Sequence, residues 1–318
     1  MRILITGGCG FIGSNFINYM MKKYNHEIIN CDVLTYAGRK ENVAKFLNDK
    51  RHQLEILNIC DVENMDNLFK YYQFDGVIHF AAESHVDRSI VDSQIFIKTN
   101  VLGTHTLLEC AKKYGVKRFL QISTDEVYGF LNESDPAFTE KNYLKPSSPY
   151  SSSKTAADLL ALSYHHTHGL DIVVTRCSNN YGPYQCPEKL IPLMITNAIK
   201  GEELPVYGNG KNIRDWIHVE DHCRGIDTVF NHGKTGEIYN LGGNCEMRNI
   251  DIVKKIIKYL GKGKIKFVED RKGHDWRYAI DYSKAKNELE WEPQISFEKG
   301  IKDTIDWYQK NEIWWKTA

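Results

Sequence analysis

No sign of charge predominates in this chain: 41 lysines and arginines stand against 41 aspartates and glutamates. The missing basic excess argues against a general nucleic-acid binder, and no nucleic acid is expected as a partner. No apolar run approaches the ~18 residues that span a bilayer, so no membrane partner is expected either. The eight cysteines lack metal spacing. They lie at 9, 31, 60, 110, 177, 186, 223 and 245, with no C-x-x-C pair and no Cys/His cluster. No metal is expected, and buried free thiols of a reducing compartment account for them. Met1 runs directly into Arg2-Ile3-Leu4-Ile5-Thr6, a strand-like run rather than a leader with a cleavage site. A cytoplasmic protein is therefore expected. Internal repeats and low-complexity segments are also missing. What is present is ordinary: 42% apolar and 26% charged residues, too apolar for disorder. At about 150 residues per domain, the 318 residues make two units or one large α/β unit.

The first half alternates strand and helix patterns. Short apolar runs fall at Ile3–Thr6, Glu27–Cys31, Leu54–Asn58, Gly76–Phe80, Phe119–Ser123 and Ile172–Arg176. Helical spacing lies between them at Phe11–Tyr24, Val43–Lys50, Glu63–Tyr72, Phe96–Tyr114 and Ser151–His168. This rhythm predicts parallel strands with right-handed crossover helices on both faces. The fold class is α/β: a Rossmann-like doubly wound parallel sheet over residues 1–176. A segment near 211–245 is expected to return to it. After Arg176 the pattern becomes irregular, with prolines at 183, 187, 192 and 205. Helical patterns persist at Leu190–Lys200, Val219–Asn231, Ile250–Leu260 and Phe297–Lys310, with Asn249 placed to cap the third. Residues 177–318 read mainly as a smaller mixed α/β lobe.

The first strand runs into Gly7-Gly8-Cys9-Gly10-Phe11-Ile12-Gly13. Gly7 suits a tight turn, Gly10 admits a pyrophosphate close to the backbone, and Gly13 lets helix pack on strand. The phosphates would sit at the helix N-terminus. Asp32, 19 residues beyond Gly13, ends the second strand, where an acid accepts hydrogen bonds from an adenosine ribose. It would repel a 2′-phosphate, so NAD is expected rather than NADP. Asp61 follows the third strand and can either reach the adenine or cap a helix.

Two further patterns carry chemistry. Tyr150 and Lys154 are four apart at the start of a helical stretch and share a helix face. A neighbouring ammonium favours the phenolate, lowering a tyrosine pKa from about 10 and making Tyr150 a usable base. The fifth strand ends in Thr124-Asp125-Glu126, at the carboxyl end where open α/β sheets gather their sites. Of two adjacent carboxyls, one can stay protonated as an acid while the other ionises as a base.

The glycine loop, Asp32, Tyr150 and Lys154 resemble the extended short-chain dehydrogenase/reductases. Further segments resemble the nucleoside-diphosphate-glucose 4,6-dehydratases more narrowly. They are Ala81-Ala82-Glu83-Ser84-His85-Val86-Asp87-Arg88-Ser89, Thr124-Asp125-Glu126 and Ser178-Asn179-Asn180-Tyr181-Gly182-Pro183-Tyr184-Gln185. To these add Pro187-Glu188-Lys189-Leu190-Ile191-Pro192, Gly210-Lys211-Asn212-Ile213-Arg214-Asp215-Trp216 and Arg271-Lys272-Gly273-His274-Asp275. The triplet Thr124-Asp125-Glu126 is the most specific element, because related epimerases keep the hydroxyl but lack the Asp-Glu after it.

The resemblance implies an NAD-dependent hydro-lyase of deoxysugar, rhamnose-type biosynthesis, acting on dTDP-glucose or UDP-glucose. Tyr150 would take the proton of the 4-hydroxyl, with Thr124 bonded to that oxygen. Glu126 would take the carbon 5 proton, and Asp125 would protonate the departing 6-hydroxyl. Lys154 would also bind the nicotinamide ribose. Gly7, Gly10, Phe11, Ile12, Gly13, Asp32, Asp61, Ala81, Ala82 and Thr99 would line the cofactor, with Asn100 beside Thr99. Ser84, His85, Asn180, Glu188, Lys189 and Leu190 would face sugar and nucleotide. Arg214, Asn249, Arg271, His274 and Tyr278 would hold the diphosphate and base region, with Pro205 and Tyr207 walling the base. A homodimer through Phe96–Tyr114 and Ser151–His168 is also implied. The chain departs from the family at Val33, a common Lys position, at Lys272 for Pro and at Trp276 for Arg. The stretch from Phe130 to Lys145 is short. Rival readings are a nucleotide-sugar 4-epimerase or decarboxylase on the same fold, and an NAD-binding sensor without turnover.

Overall fold

A computed structural model of the chain describes residues 1–270 and 274–317. The large lobe is built on seven parallel strands. They are β1 (Arg2–Thr6), β2 (Glu27–Asp32), β3 (His52–Ile56), β4 (Gly76–His79), β5 (Arg118–Thr124), β6 (Ile172–Cys177) and, far later, β10 (Ile238–Leu241). Between β6 and β10 lie β7 (Asn179–Tyr181), β8 (Glu203–Tyr207) and β9 (Ile213–His218). After β10 come β11 (Glu246–Arg248) and β12 (Lys264–Val268). The order across the large sheet is β10-β6-β5-β4-β1-β2-β3, so consecutive strands require crossovers, and the order turns back between β1 and β4. Ligands of such sheets bind outside the strand carboxyl ends at that switch.

Helices cover both faces. On one face lie α1 (Phe11–Lys23) and a later helix, α8 (Val219–His232). Phe16, Ile17 and Met20 share a buried core there with Ile226, Val229 and Phe230. The other face takes α2 (Val62–Tyr72), the short α3 (Val86–Val91) and α4 (Gln94–Phe96), then α5 (Thr104–Lys113) and α6 (Pro149–His168). Leu68, Phe69, Leu107, Leu108 and Ala161 form its core. The small lobe packs α7 (Leu190–Lys200), α9 (Asn249–Leu260), α11 (Phe297–Lys310) and α12 (Glu312–Lys316) around two small sheets. These are β11-β9-β7 and β12-β8. Ile195, Leu204, Ile252, Ile256 and Ile301 are fully buried at its centre. Of the later segments, β10, α8 and α10 (Ser283–Leu289) join the large lobe, α10 through Ala285 and Leu289, whereas β9 pairs with β7 and β11.

Local chemistry explains where the elements depart from the sequence pattern. The expected helix Phe96–Tyr114 is interrupted by a π-helical segment, Ile97–Gly103. Asn100 sits in it, 2% exposed. Its side chain exchanges bonds with the Glu83 backbone at 2.8 and 3.0 Å and donates to Ser153 Oγ at 2.8 Å. Widened turns of this kind often mark functional sites. The pattern Val43–Lys50 proves to be a short 3₁₀ turn, Lys40–Phe46, and β3 ends at Ile56 rather than Asn58. Asn249 does not cap α9. Arg248 occupies that position with extended backbone, and Asn249 is the first helical residue, its N–H donating to Asn212 O at 3.0 Å. All eight cysteines are free thiols, five buried and three partly so. Among the described residues, no helix is long and apolar enough to cross a membrane.

Candidate active site

The carboxyl ends of β1, β2, β4, β5 and β6 surround one open cleft of about 410 Å³. Its floor begins at the glycine loop. Gly7 turns with φ +70°, a conformation open to glycine, and a Cβ there would lie 2.7 Å from Ala81 Cα. A Cβ on Gly13 would lie 2.3 Å from the Gly7 carbonyl oxygen, so the close packing of helix and strand is real. Gly8, for which the sequence suggested no role, is equally constrained: its Cβ would meet Asn30 Oδ1 at 2.2 Å. Gly10 is the N-cap of α1, and no side chain caps the helix. Its first N–H groups thus remain available to an anion.

Asp32 is 7% exposed and lies on the cleft wall with Phe11 and Ile12. It accepts from Cys9 N at 2.9 Å and Leu34 N at 2.8 Å. Burial raises its pKa, and those two backbone bonds pull the other way. Ala81, Ala82, Ser84 and Thr99 complete this part of the wall. Asp61 does not belong to it. It is exposed and caps α2, accepting from Asn64 N at 3.1 Å, while Leu57, Asn58 and Ile59 form the wall nearby.

The opposite end holds the reactive groups. Ser148 and Ser151 form a reciprocal capping box, with Pro149 in the first turn of α6. This start places Tyr150 and Lys154 one turn apart, both on the cleft wall. In the sequence this start shows only as Ser148 followed by Pro149 in the first turn, because the third residue of the box is Ser151 rather than Glu or Gln. Tyr150 and Thr124 are each 8% exposed, and both line the cleft. Thr124 Oγ1 also lies 3.3 Å from Asp125 Oδ1 and accepts from Glu126 N at 3.3 Å. Asp125 is 3% exposed, and its Oδ2 is buried without a hydrogen-bond partner. Burial, then Glu126 and Asp215, push its pKa well above the usual carboxyl value, against a smaller pull from Arg214.

One expectation is reversed. The Tyr150 pKa is raised rather than lowered. Lys154 Nζ donates to the Ile122 carbonyl at 2.7 Å, and burial depresses the lysine's own pKa. Burial, then Glu126 and Cys177, hold Tyr150 well above the ordinary phenol value, with the Thr124 bond acting in the opposite direction.

The residues expected to face substrate fall into two groups. Asn180, Glu188 and Lys189 line the cleft with Ser84. Lys189 Nζ donates to Ser84 O at 3.3 Å, and burial lowers its pKa. Asn180 Oδ1 is 2.8 Å from His222 Nδ1. Glu188 Oε2 lies 3.1 Å from Arg88 Nη2 and 3.6 Å from His85 Nε2. The Arg88 guanidinium also stacks on the Tyr36 ring at 3.6 Å. The loop after β2, α3 and the loop before α7 thereby meet over the cleft. Tyr36, which no sequence pattern marked, is part of its wall.

The second group surrounds β9. Arg214, 5% exposed, stacks on Tyr278 at 4.5 Å and donates to the Ile213 and Asp275 carbonyls at 2.7 and 3.0 Å. Tyr278 hydrogen-bonds the Asp275 carboxylate. Tyr207 and His274 meet edge to face at 6.2 Å, and His274 Nδ1 is 2.6 Å from Asp270 Oδ1. Pro205 lies in β8, Leu190 opens α7, and Asn249 Oδ1 is buried without a hydrogen-bond partner. None of these, nor His85, lines the cleft described above. The groups are electrostatically linked: Glu126 raises the Tyr278 pKa after burial does. Arg271 and Lys272 lie outside the described residues. Of the other departures, Val33 is exposed on the cleft wall, and the Trp276 carbonyl accepts from Ile213 N at 2.8 Å.

A glycine loop at a switch point, an acid ending β2 and a Tyr-Lys pair on one helix together define the extended short-chain dehydrogenase/reductase class. Within that class, the profile of the family described as GDP-mannose 4,6 dehydratase matches residues 4–304, and the chain belongs to this family. It is 48% identical over 346 residues to a dTDP-glucose 4,6-dehydratase of Escherichia coli, covering 99% of this chain and 96% of that one. It also superimposes on a dTDP-glucose 4,6-dehydratase from Streptomyces venezuelae, solved with NAD bound. That TM-score is 0.96 at 46% identity, covering 100% of this chain and 99% of the other. The Bacillus anthracis dTDP-glucose 4,6-dehydratase, in complex with NAD, gives 0.93 at 50% identity, over 100% and 99% of the two chains.

Proposed function

We propose that this chain is an NAD-dependent dTDP-glucose 4,6-dehydratase, a hydro-lyase of deoxysugar biosynthesis. The observation that carries the reading is the acid pair after β5. One member, Asp125, is buried with a free oxygen and biased to stay protonated, beside Tyr150 in the same cleft.

The chain's residues fit NAD. The backbone cradle at Gly7 and Gly10 has no room for a Cβ at Gly7 and leaves the α1 N-terminus open. Asp32 is oriented by two amides toward the role of ribose acceptor. Residues 1–176, with the returning α8 and β10, would hold the cofactor, and residues 177–318 would mainly hold the nucleotide sugar.

Bound there, NAD would supply the hydride acceptor for sugar carbon 4 and the hydride donor for carbon 6. Tyr150 accepts the 4-hydroxyl proton in the first step, with Thr124 bonded at that oxygen. Burial alone favours the neutral phenol, so this step must draw on the positive charge of the loaded site. Lys154 supplies part of that charge and binds the nicotinamide ribose. The 4-keto group then acidifies carbon 5, and Glu126 takes its proton. Asp125 donates its own proton to the departing 6-hydroxyl, and water leaves. A proton returns to carbon 5 as the sugar is reduced at carbon 6. Asn180, Glu188 and Lys189, with Ser84, face the sugar end. Arg214, Asn249, Arg271, His274 and Tyr278 hold the diphosphate, for which guanidinium forks are suited. Pro205 and Tyr207 wall the base.

A homodimer is supported by exposed apolar side chains on the helical face: Val91, Ile95, Ile97, Leu102 and Leu159. Light scattering tests it, and cell fractionation tests the cytoplasmic location. The decisive experiment incubates the protein separately with dTDP-glucose and UDP-glucose and weighs the products. Loss of one water with a 4-keto sugar from dTDP-glucose is expected. A product of unchanged mass would instead indicate an epimerase.

A further inference from the structure

Cys9 lies in the middle of the glycine loop, and its peptide is held from both sides. Its N–H donates to Asp32 Oδ2 at 2.9 Å. Its carbonyl accepts two bonds, from Arg39 N at 2.9 Å and from Asn42 Nδ2 at 2.8 Å. Asn42 is 3% exposed, so water cannot readily replace either of its partners. Its Oδ1 accepts from the indole N–H of Trp314 at 2.7 Å. That tryptophan belongs to α12, at the far end of the sequence. Arg39 closes the same link a second time. Its guanidinium lies 5.0 Å from the Trp314 ring, and Nη1 donates to the Trp314 carbonyl at 2.6 Å.

The Trp314 ring also meets the loop before α7. Tyr184 packs edge to face on it at 5.7 Å. Tyr184 has φ +66°, a conformation uncommon outside glycine, which the surrounding packing must hold. One indole therefore touches both the segment that fixes the glycine loop and the loop that carries Glu188 and Lys189.

We propose that Trp314 is a positioning residue for the cofactor: acting through Asn42, its indole N–H fixes the Cys9 peptide and so the shape of the loop that receives the dinucleotide phosphates. This rests on the NAD reading above. An amide satisfied at both ends has one orientation. Without the indole donor, Asn42 is free to turn, and the Cys9 carbonyl loses a fixed partner. Linkage is reciprocal, so cofactor binding must in turn tighten the α12 contact.

The test is the rate of NAD release from loaded, full-length protein, followed as exchange against isotopically labelled NAD. Net hydrogen-bond contributions imply release on the order of tenfold faster in Asn42→Ala and several-fold faster in Trp314→Phe. Trp315→Phe is the matched control. Its indole also donates from α12, to Tyr308 O at 2.8 Å, but it does not reach Asn42. It should leave release unchanged. Equal rates for Trp314→Phe and Trp315→Phe would overturn the proposal. Should Trp314→Phe fail to fold, hydrogen exchange on the unaltered chain decides: peptides covering 39–42 and 312–317 should exchange more slowly when NAD is loaded, and no change there overturns it. A wild-type protein that takes up no NAD at all would instead remove the NAD reading, and this proposal with it.

Discussion

Asp32 and Asp125 both stand at carboxyl ends of strands in the same parallel sheet, and both are nearly inaccessible, at 7% and 3% exposure. Their partners differ. Both oxygens of Asp32 accept backbone N–H groups, which favour the anion and oppose the effect of burial. Asp125 has one oxygen 3.3 Å from the Thr124 hydroxyl and one with no hydrogen-bond partner, and it faces Glu126 and Asp215. Neither the residue type nor its place in the sheet assigns the charge; the local donors and neighbouring carboxyls do. One end of the cleft is thereby prepared to accept ribose hydroxyls, and the other to give up a proton.

The largest expected effect breaks the catalytic end. Asp125→Asn and Glu126→Gln should slow water elimination by roughly 10²–10⁴-fold, the usual worth of a positioned acid or base. The first oxidation should persist, visible as reduced cofactor absorbance in a single turnover. Equal loss of both steps would count against the assigned roles. Next comes the cofactor end. Asp32→Ala leaves two amides without their acceptor, at about 1–3 kcal/mol for a buried unpaired group. NAD affinity should fall at least tenfold, measured by titration of stripped protein.

A pH comparison sharpens the contrast. The Asp125 pKa is raised, so the folded chain holds a proton that the unfolded chain releases near pH ~3.9. Its contribution to stability is full below that value and is lost as pH rises through the folded value. The urea midpoint of Asp125→Asn should therefore gain on wild type as pH increases. A gap that stays flat would mean that Asp125 is not held protonated. The smallest effect belongs to a third acid, Asp61, the cap of α2. Its substitution by Ala should cost α2 its cap and lower the melting temperature slightly, with NAD affinity unchanged.

Much of this site was legible because its chemistry is local in sequence. The glycine loop, Asp32 and Thr124-Asp125-Glu126 each sit at the end of a strand, where the hydrophobic period changes, and Tyr150 and Lys154 share one helix turn. What pattern could not supply was electrostatics and distant contact. Burial, invisible in a Tyr-x-x-x-Lys spacing, reversed the expected direction for Tyr150. The π-helical turn around Asn100 depends on Glu83 and Ser153, which come from other elements. Asp61 was open to two readings, adenine contact or cap, and only the Asn64 geometry separated them. Gly8 and Tyr36 are constrained by Asn30 and Arg88, neighbours that no local window contains.

The strand β10 carries a consequence for how the molecule is made. It pairs with β6 from Ile238↔Val174 to Leu241↔Cys177, yet it leaves the ribosome only after β7 through α8 have emerged. Until then β6 is an open edge, and the sheet face later covered by Val229 and Phe230 is bare, a state prone to pair with the wrong strand. A chain stopped at residue 176 would be stranded in that state. The two lobes are thus a single unit of biosynthesis, and recombination between relatives could exchange them cleanly only if α8, β10 and α10 travelled with the first.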